Sequence, residues 1–129
     1  MNGKYLFDTN IVIEIINNEI LTMSKIEEEY DILISSFVIG ELYYGAYCSS
    51  RKEDNLFRVK SFISKNTIVH CNNDTAEIYG KVKSELRLKG RPIPENDIWI
   101  ASIAIQNNLI LVSKDKHFNE IDDLKLEVW

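Results

Sequence analysis

Short apolar runs alternate along the chain with longer stretches in which apolar positions recur every three or four residues. The short runs read as strands and the longer ones as helices. Tyr5, Leu6 and Phe7 predict a first strand, and IVIEIINN (11–18) predicts a helix starting just after Asp8. DILISS (31–36) is a second strand, and VIGELYYGAY (38–47) a helix on which Val38, Leu42 and Ala46 share a face. RKEDNLFRVKSFISK (51–65) is amphipathic through Leu56, Val59, Phe62 and Ile63. TIVHC (67–71) predicts a third strand. A long helix then runs from about Asp74 to Lys89, with Asp74 and Glu77 at capping-box spacing and Gly90 closing it. Pro94 suits the first position of the helix ENDIWIASIAIQNN. LILV (109–112) has the continuous apolar character of a strand buried on both faces, and LKLEVW (124–129) predicts a short fifth. Strands alternating with helices indicate an α/β fold with a mainly parallel central sheet of four to five strands.

Composition narrows the class without choosing the function. At 129 residues the chain is expected to form one domain, residues 1–129, with a core large enough to need no staples. No apolar run approaches the length of about eighteen residues that crosses a bilayer, so no membrane association is expected. The N-terminus lacks the basic-then-apolar pattern of a signal peptide, which makes a cytoplasmic location the expectation. Cys48 and Cys71 have no ligand spacing and read as reduced, packed thiols. The formal charge of −5 argues against a protein that coats nucleic acid through a basic surface. One segment departs from that average: KVKSELRLKGR (81–91) holds Lys81, Lys83, Arg87, Lys89 and Arg91 against the single acid Glu85. Alone, it reads as a solvated helix face.

The candidate chemistry lies in acids at comparable places. In a parallel sheet, the loops at the carboxyl ends of the strands gather along one edge and form sites there. Asp8 follows the first strand, and Ser113 and Asp115 follow the fourth. Glu41 falls in the first turns of the helix after the second strand, and Asp97 in the first turn of the helix opened by Pro94. Each has an ordinary explanation as a helix cap, a dipole partner or a surface residue. Asp97 precedes the apolar run IWIASIAI, however, and Glu41 sits within FVIGELYYG, so both are expected to be partly buried. Clustered carboxylates raise one another's pKa unless a cation joins them, and oxygen ligands suit Mg2+ or Mn2+. Such an ion paired with carboxylates is suited to phosphodiester chemistry.

FDTNIVIEII, SSFVIGELYYGA, GRPIPENDIWIASIAI and LILVSKDKHFNEIDDLKLEVW, in that order, resemble the PIN domain, and more narrowly the VapC-type ribonuclease toxins of toxin–antitoxin modules. The resemblance spans essentially the whole chain. It implies a three-layer α/β/α fold and a divalent-metal-dependent endoribonuclease that hydrolyses RNA with a metal-activated water. Asp8 and Asp97 are then the principal ligands of Mg2+ or Mn2+, with Glu41 and Asp115 completing the catalytic set. Thr9 and Asn10 support Asp8, and Ser113 stands where threonine is commoner but keeps the hydroxyl. Also implied are a homodimer and a cognate VapB-like antitoxin whose C-terminal segment occupies the cleft.

With such a centre nearby, Lys81, Lys83, Arg87, Lys89 and Arg91 become RNA-binding candidates. Tyr43, Tyr44, Tyr47 and Trp99 are candidates for base stacking, though aromatics at helical spacing more often belong to a core or an interface. His70 and His117 read as structural. Three alternatives stay open: a PIN-fold nuclease of RNA processing or decay, a PIN module without catalysis, and a Mg2+-binding phosphoaccepting receiver domain. The last fits poorly, because the first strand ends in one acid, Asp74 looks like a helix cap and Asp54 lies in a charged helix.

Overall fold

A computed structural model describes residues 3–129. Five strands form one parallel sheet: β1 (Lys4–Phe7), β2 (Asp31–Ser35), β3 (Thr67–Val69), β4 (Ile110–Ser113) and β5 (Lys125–Val128). Their order is β3-β2-β1-β4-β5. Helices α1 (Thr9–Ile16), α2 (Ile20–Met23), α3 (Ser36–Cys48), α4 (Lys52–Ser64), α5 (Asn73–Lys89) and α6 (Glu95–Gln106) cover the sheet, and a 3-10 turn spans Lys116–Glu120. The α/β/α expectation holds, with all five strands present. The order also separates this chain from receiver domains, whose strands run 2-1-3-4-5.

Central β1 explains the position of the site. It pairs with β2 on one side, Leu6 opposite Leu33, and with β4 on the other, Leu6 opposite Leu111. Strands lie on both sides of β1 and helices on both faces, so Tyr5, Leu6 and Phe7 are sandwiched between layers while Lys4 stays exposed. Leu6, Phe7, Leu111 and Val112 are accordingly fully buried, together with Ile34, Ile100 and Ile103. Truncating Phe7 to alanine is worth about 3–5 kcal/mol by the usual cost of a large core deletion. The chain proceeds from β1 to β2 in one direction and reaches β4 in the other. The sheet order therefore reverses between β1 and β4, where loops splay apart and leave a crevice at the carboxyl edge.

Local chemistry sets the helix ends. Asn72, not Asp74, caps α5: its side chain accepts from the Asp74 and Thr75 N–H groups, and the Thr75 hydroxyl oxygen accepts from the Asn72 N–H. The box therefore sits two residues earlier than the acidic spacing indicates, because Asn and Thr perform the same exchange. Gly90 ends α5 at φ 67°, the left-handed conformation that glycine adopts freely. Asn18 and Asn108 take that conformation after α1 and α6, so the two Asn-Asn pairs are stop signals. Pro94 lies one residue outside α6, as its N-cap. Cys48 and Cys71 are free thiols but exposed, since both fall at element ends where no layer covers them. No helix among the described residues is long and apolar enough to cross a membrane.

Candidate metal centre at the sheet edge

Asp8 stands one residue beyond β1, in the crevice between β1 and β4. Its N–H donates to the Val112 carbonyl at 2.9 Å, which extends the ladder to the acid. One carboxylate oxygen accepts from the Thr9 N–H at 2.9 Å, making Asp8 the N-cap of α1. The other accepts from the Ser113 hydroxyl at 2.7 Å. Asp8 is only 3% exposed. Burial pushes its pKa up, and the Ser113 and Thr9 donors pull it back down. The reading of Asp8 as a cap holds on one oxygen, while the other is held by Ser113 at the edge of the cleft.

Ser113 ties the two sides of the crevice together. Besides donating to Asp8, its oxygen accepts from the Asp115 N–H at 3.0 Å and from the Asn10 amide at 3.4 Å. The same Asn10 amide reaches the Asp115 carboxylate at 3.5 Å, and the Asn10 oxygen accepts from the Lys114 N–H at 3.3 Å. Asn10 therefore clamps the loop that follows β4.

Glu41 arrives from the second turn of α3, whose start is fastened by Ser35 accepting from the Val38 N–H at 3.1 Å. Asp97 arrives from the first turn of α6. Asp8, Thr9, Asn10, Glu41, Asp97 and Asp115 line one cleft of about 570 Å³ with Ile13, Pro94, Glu95 and Asn96. All four predicted acids thus meet, from segments far apart in the chain.

Their electrostatics are those of a site short of positive charge. Burial raises the pKa of Glu41, and the nearby Asp8 and Asp97 charges raise it further. Burial raises Asp97 as well, followed by the charge of Asp8, while His117 acts in the opposite direction. The Thr9 hydroxyl lies close enough to Glu41 to favour its charged form. The pair nevertheless misses good hydrogen-bond geometry, and both Thr9 Oγ1 and Glu41 Oε1 are buried without a partner. A buried carboxylate oxygen with nothing to accept is costly. An orphaned Glu41 oxygen beside two acids with elevated pKa values is the donor set that a hard divalent cation satisfies.

The structure also brings in a residue that the sequence reading set aside. His117, on the 3-10 turn two residues past Asp115, places Nε2 2.8 Å from Asp97 Oδ2. No periodicity flags it; its proximity to Asp115 in sequence was the one available signal. His70 lies one residue beyond β3 and is exposed, away from the cleft lining.

The basic segment behaves differently from the acids. Lys81 pairs with Asp123 at 3.5 Å, Lys89 with Asp122 at 2.8 Å and Arg91 with Glu120 at 4.0 Å. These cations face the acidic loop before β5. Arg87 is exposed, with no ion-pair partner among the described residues. Only Lys83 meets a cleft residue, through an ion pair with Glu95 and a 3.2 Å contact to the Tyr79 hydroxyl. Trp99 stacks on Tyr79 at 3.9 Å and on Phe37 at 5.6 Å, so its ring is engaged in aromatic packing within the protein. Tyr43 packs against the core, whereas Tyr44 and Tyr47 are exposed.

Known proteins resemble this chain over nearly its whole length. The PIN domain family model matches residues 5–124. A protein of Haemophilus influenzae named Ribonuclease VapC2 is 38% identical, over 98% of each chain. The tRNA(fMet)-specific endonuclease VapC of Shigella flexneri is 31% identical, again over 98% of each. Among solved structures, VapBC2 from Rickettsia felis, bound to a DNA fragment from its promoter, superposes with a TM-score of 0.91 at 36% identity, covering 98% of each chain.

Proposed function

The chain belongs to the PIN domain family, and from that premise we propose that it is a divalent-metal-dependent endoribonuclease, the toxin of a toxin–antitoxin pair. The observation that carries the reading is the convergence of Asp8, Glu41, Asp97 and Asp115 on one cleft at the sheet's switch point, with the buried Glu41 Oε1 left unpartnered.

Asp8 and Asp97 would hold the ion, Mg2+ or Mn2+, with Glu41 and Asp115 completing the set. When bound, such an ion makes a water more acidic, and hence a stronger nucleophile, and screens the charge that builds up on the phosphate. The chain's own residues supply the order that this requires. Ser113 and the Thr9 N–H occupy fixed lone pairs of Asp8 and so aim the carboxylate into the cleft. Asn10 holds the loop carrying Asp115 against the same edge. Glu41 brings its unpartnered Oε1 to the same cleft beside Asp8 and Asp97, where it would complete the oxygen donors around the ion. The reaction adds that water's oxygen to phosphorus and breaks one P–O ester bond of the RNA. Lys83 is the member of the basic segment that contacts the cleft lining, through Glu95, and is placed to meet a flanking phosphate.

A VapB-like antitoxin is the proposed protein partner and a homodimer the proposed assembly. The resemblance to the VapBC2 structure supports the former. The test is cleavage of RNA by the purified chain in Mg2+. Asp8→Ala and Asp97→Ala should each lower the rate by at least about a hundredfold, beyond the 10–100-fold typical of residues that merely support a ligand. Circular dichroism should show both variants folded. EDTA should stop cleavage and Mn2+ restore it. Near-normal cleavage by either variant would remove the site assignment, and cleavage in chelator would remove the metal. A small adjacent reading frame for a DNA-binding protein is expected if the chain is a toxin and not a processing enzyme.

A further inference from the structure

The acids of the cleft offer only oxygen, and oxygen ligands do not distinguish Mg2+ strongly from other hard ions. The structure adds one nitrogen. His117 Nε2, Asp97 and Asp115 each offer a ligand atom, and these three atoms all lie within 4.8 Å of one another. Two donors on one ion, each bonded at about 2.1 Å, are separated by at most about 4.2 Å. The three groups thus need only small side-chain adjustments to share a cation.

The imidazole is held in place for this. Phe118, the next residue, is fully buried and anchors the 3-10 turn, with the His117 ring 4.7 Å from its own. His117 is one-third exposed and Asp97 less so, which makes their contact a half-buried one, and Asp97 itself lines the cleft. The hydrogen bond to Asp97 at 2.8 Å shows that the ring already points at the acid cluster.

We propose that His117 sets the ion preference of this centre, supplying with Asp97 and Asp115 a mixed nitrogen and oxygen donor set. Imidazole suits late first-row ions such as Fe2+, Co2+, Ni2+ and Zn2+, whereas Mg2+ takes oxygen and water. The centre therefore binds a late transition ion more tightly than its carboxylates alone would, and Mg2+ no more tightly. This rests on the divalent-metal reading above. It competes with a plainer role in which His117 only donates a hydrogen bond that orients Asp97.

Glutamine separates the two roles. In His117→Gln the amide N–H still reaches Asp97, but the lone pair of the ring nitrogen is gone. The probes are Co2+ and Mg2+, each titrated by calorimetry into the wild type, His117→Gln and His117→Ala, with the visible absorption of Co2+ followed in parallel. The expected result is a loss of Co2+ affinity of at least about tenfold in both variants, with a changed Co2+ spectrum. Mg2+ affinity should stay within about twofold. Wild-type Co2+ affinity in His117→Gln, or an equal loss for both ions, would overturn the proposal in favour of the orienting role. Binding of neither ion by the wild type would overturn the divalent-metal reading, and this inference with it.

Discussion

Replacing Ser113 with alanine tests the centre through stability alone, with no substrate or metal required. The Ser113 hydroxyl is completely buried and serves three groups at once: it donates to Asp8 and accepts from the Asp115 N–H and the Asn10 amide. A hydrogen bond to a charged group contributes about 1.5–3 kcal/mol, and a buried group left unpaired costs about 1–3 kcal/mol. Some of that second cost is avoided because Asp115 and Asn10 are near solvent. A net loss of about 2–3 kcal/mol is expected. For 129 residues the unfolding entropy is about 0.27 kcal/mol/K, so Tm should fall by roughly 7–11 °C.

The pH dependence identifies the cause of the loss. Ser113 lowers the pKa of Asp8, which burial holds above its ordinary 3.8. The bond therefore favours the charged carboxylate. Its contribution is fully present above the folded-state pKa of Asp8 and shrinks as pH falls through that value. Urea unfolding of wild type and Ser113→Ala in EDTA should show the full difference near roughly pH 7.5 and a clearly smaller one near roughly pH 4. A difference below about 0.5 kcal/mol at neutral pH, the level of an ordinary surface change, would refute the reasoning. An equal difference at both pH values would assign the loss to packing instead of to the Asp8 charge.

Two further outcomes are expected. Glu41, Asp8 and Asp97 all have raised pKa values, so the native state holds extra protons between their ordinary values of 3.8–4.5 and the folded ones. Metal-free protein should therefore lose stability as pH rises through that window, and Glu41→Gln should flatten the loss and raise Tm at neutral pH; a Tm at or below wild type in EDTA would contradict the strain assigned to the cluster. In RNA binding, Lys83→Ala should weaken affinity and reduce the slope against salt by about one, because its partner Glu95 lines the cleft, whereas Lys81→Ala and Lys89→Ala, whose partners Asp123 and Asp122 lie outside the cleft lining, should change it little. Equal effects from all three would return the whole segment to the status of a uniform basic face.

Much of this protein follows from its sequence alone, because the relevant signals are local. Apolar runs four to five residues long, buried on both faces, identify parallel strands without reference to the rest of the chain. Asp8 and Asp115 could be placed at one sheet edge because every parallel strand delivers its carboxyl end to the same side. Gly90 marked its helix end since no other residue takes that backbone conformation so freely.

What depended on distance in space was not legible. Asn72 replaced Asp74 as a cap because two neutral side chains can make the same reciprocal exchange as an acid. The basic run looked uniform, but its side chains point in different directions around α5. Three cations there are drawn to Glu120, Asp122 and Asp123 and one to Glu95, a division that only the packing of that loop imposes. Trp99 stacks on Phe37 and Tyr79 for the same reason. His117 is the clearest case: the turn after β4 swings its ring onto Asp97, twenty residues earlier in the chain, and no spacing rule relates the two. Periodicity and strand ends are properties of one segment, whereas a contact between side chains is a property of how several segments close on one another.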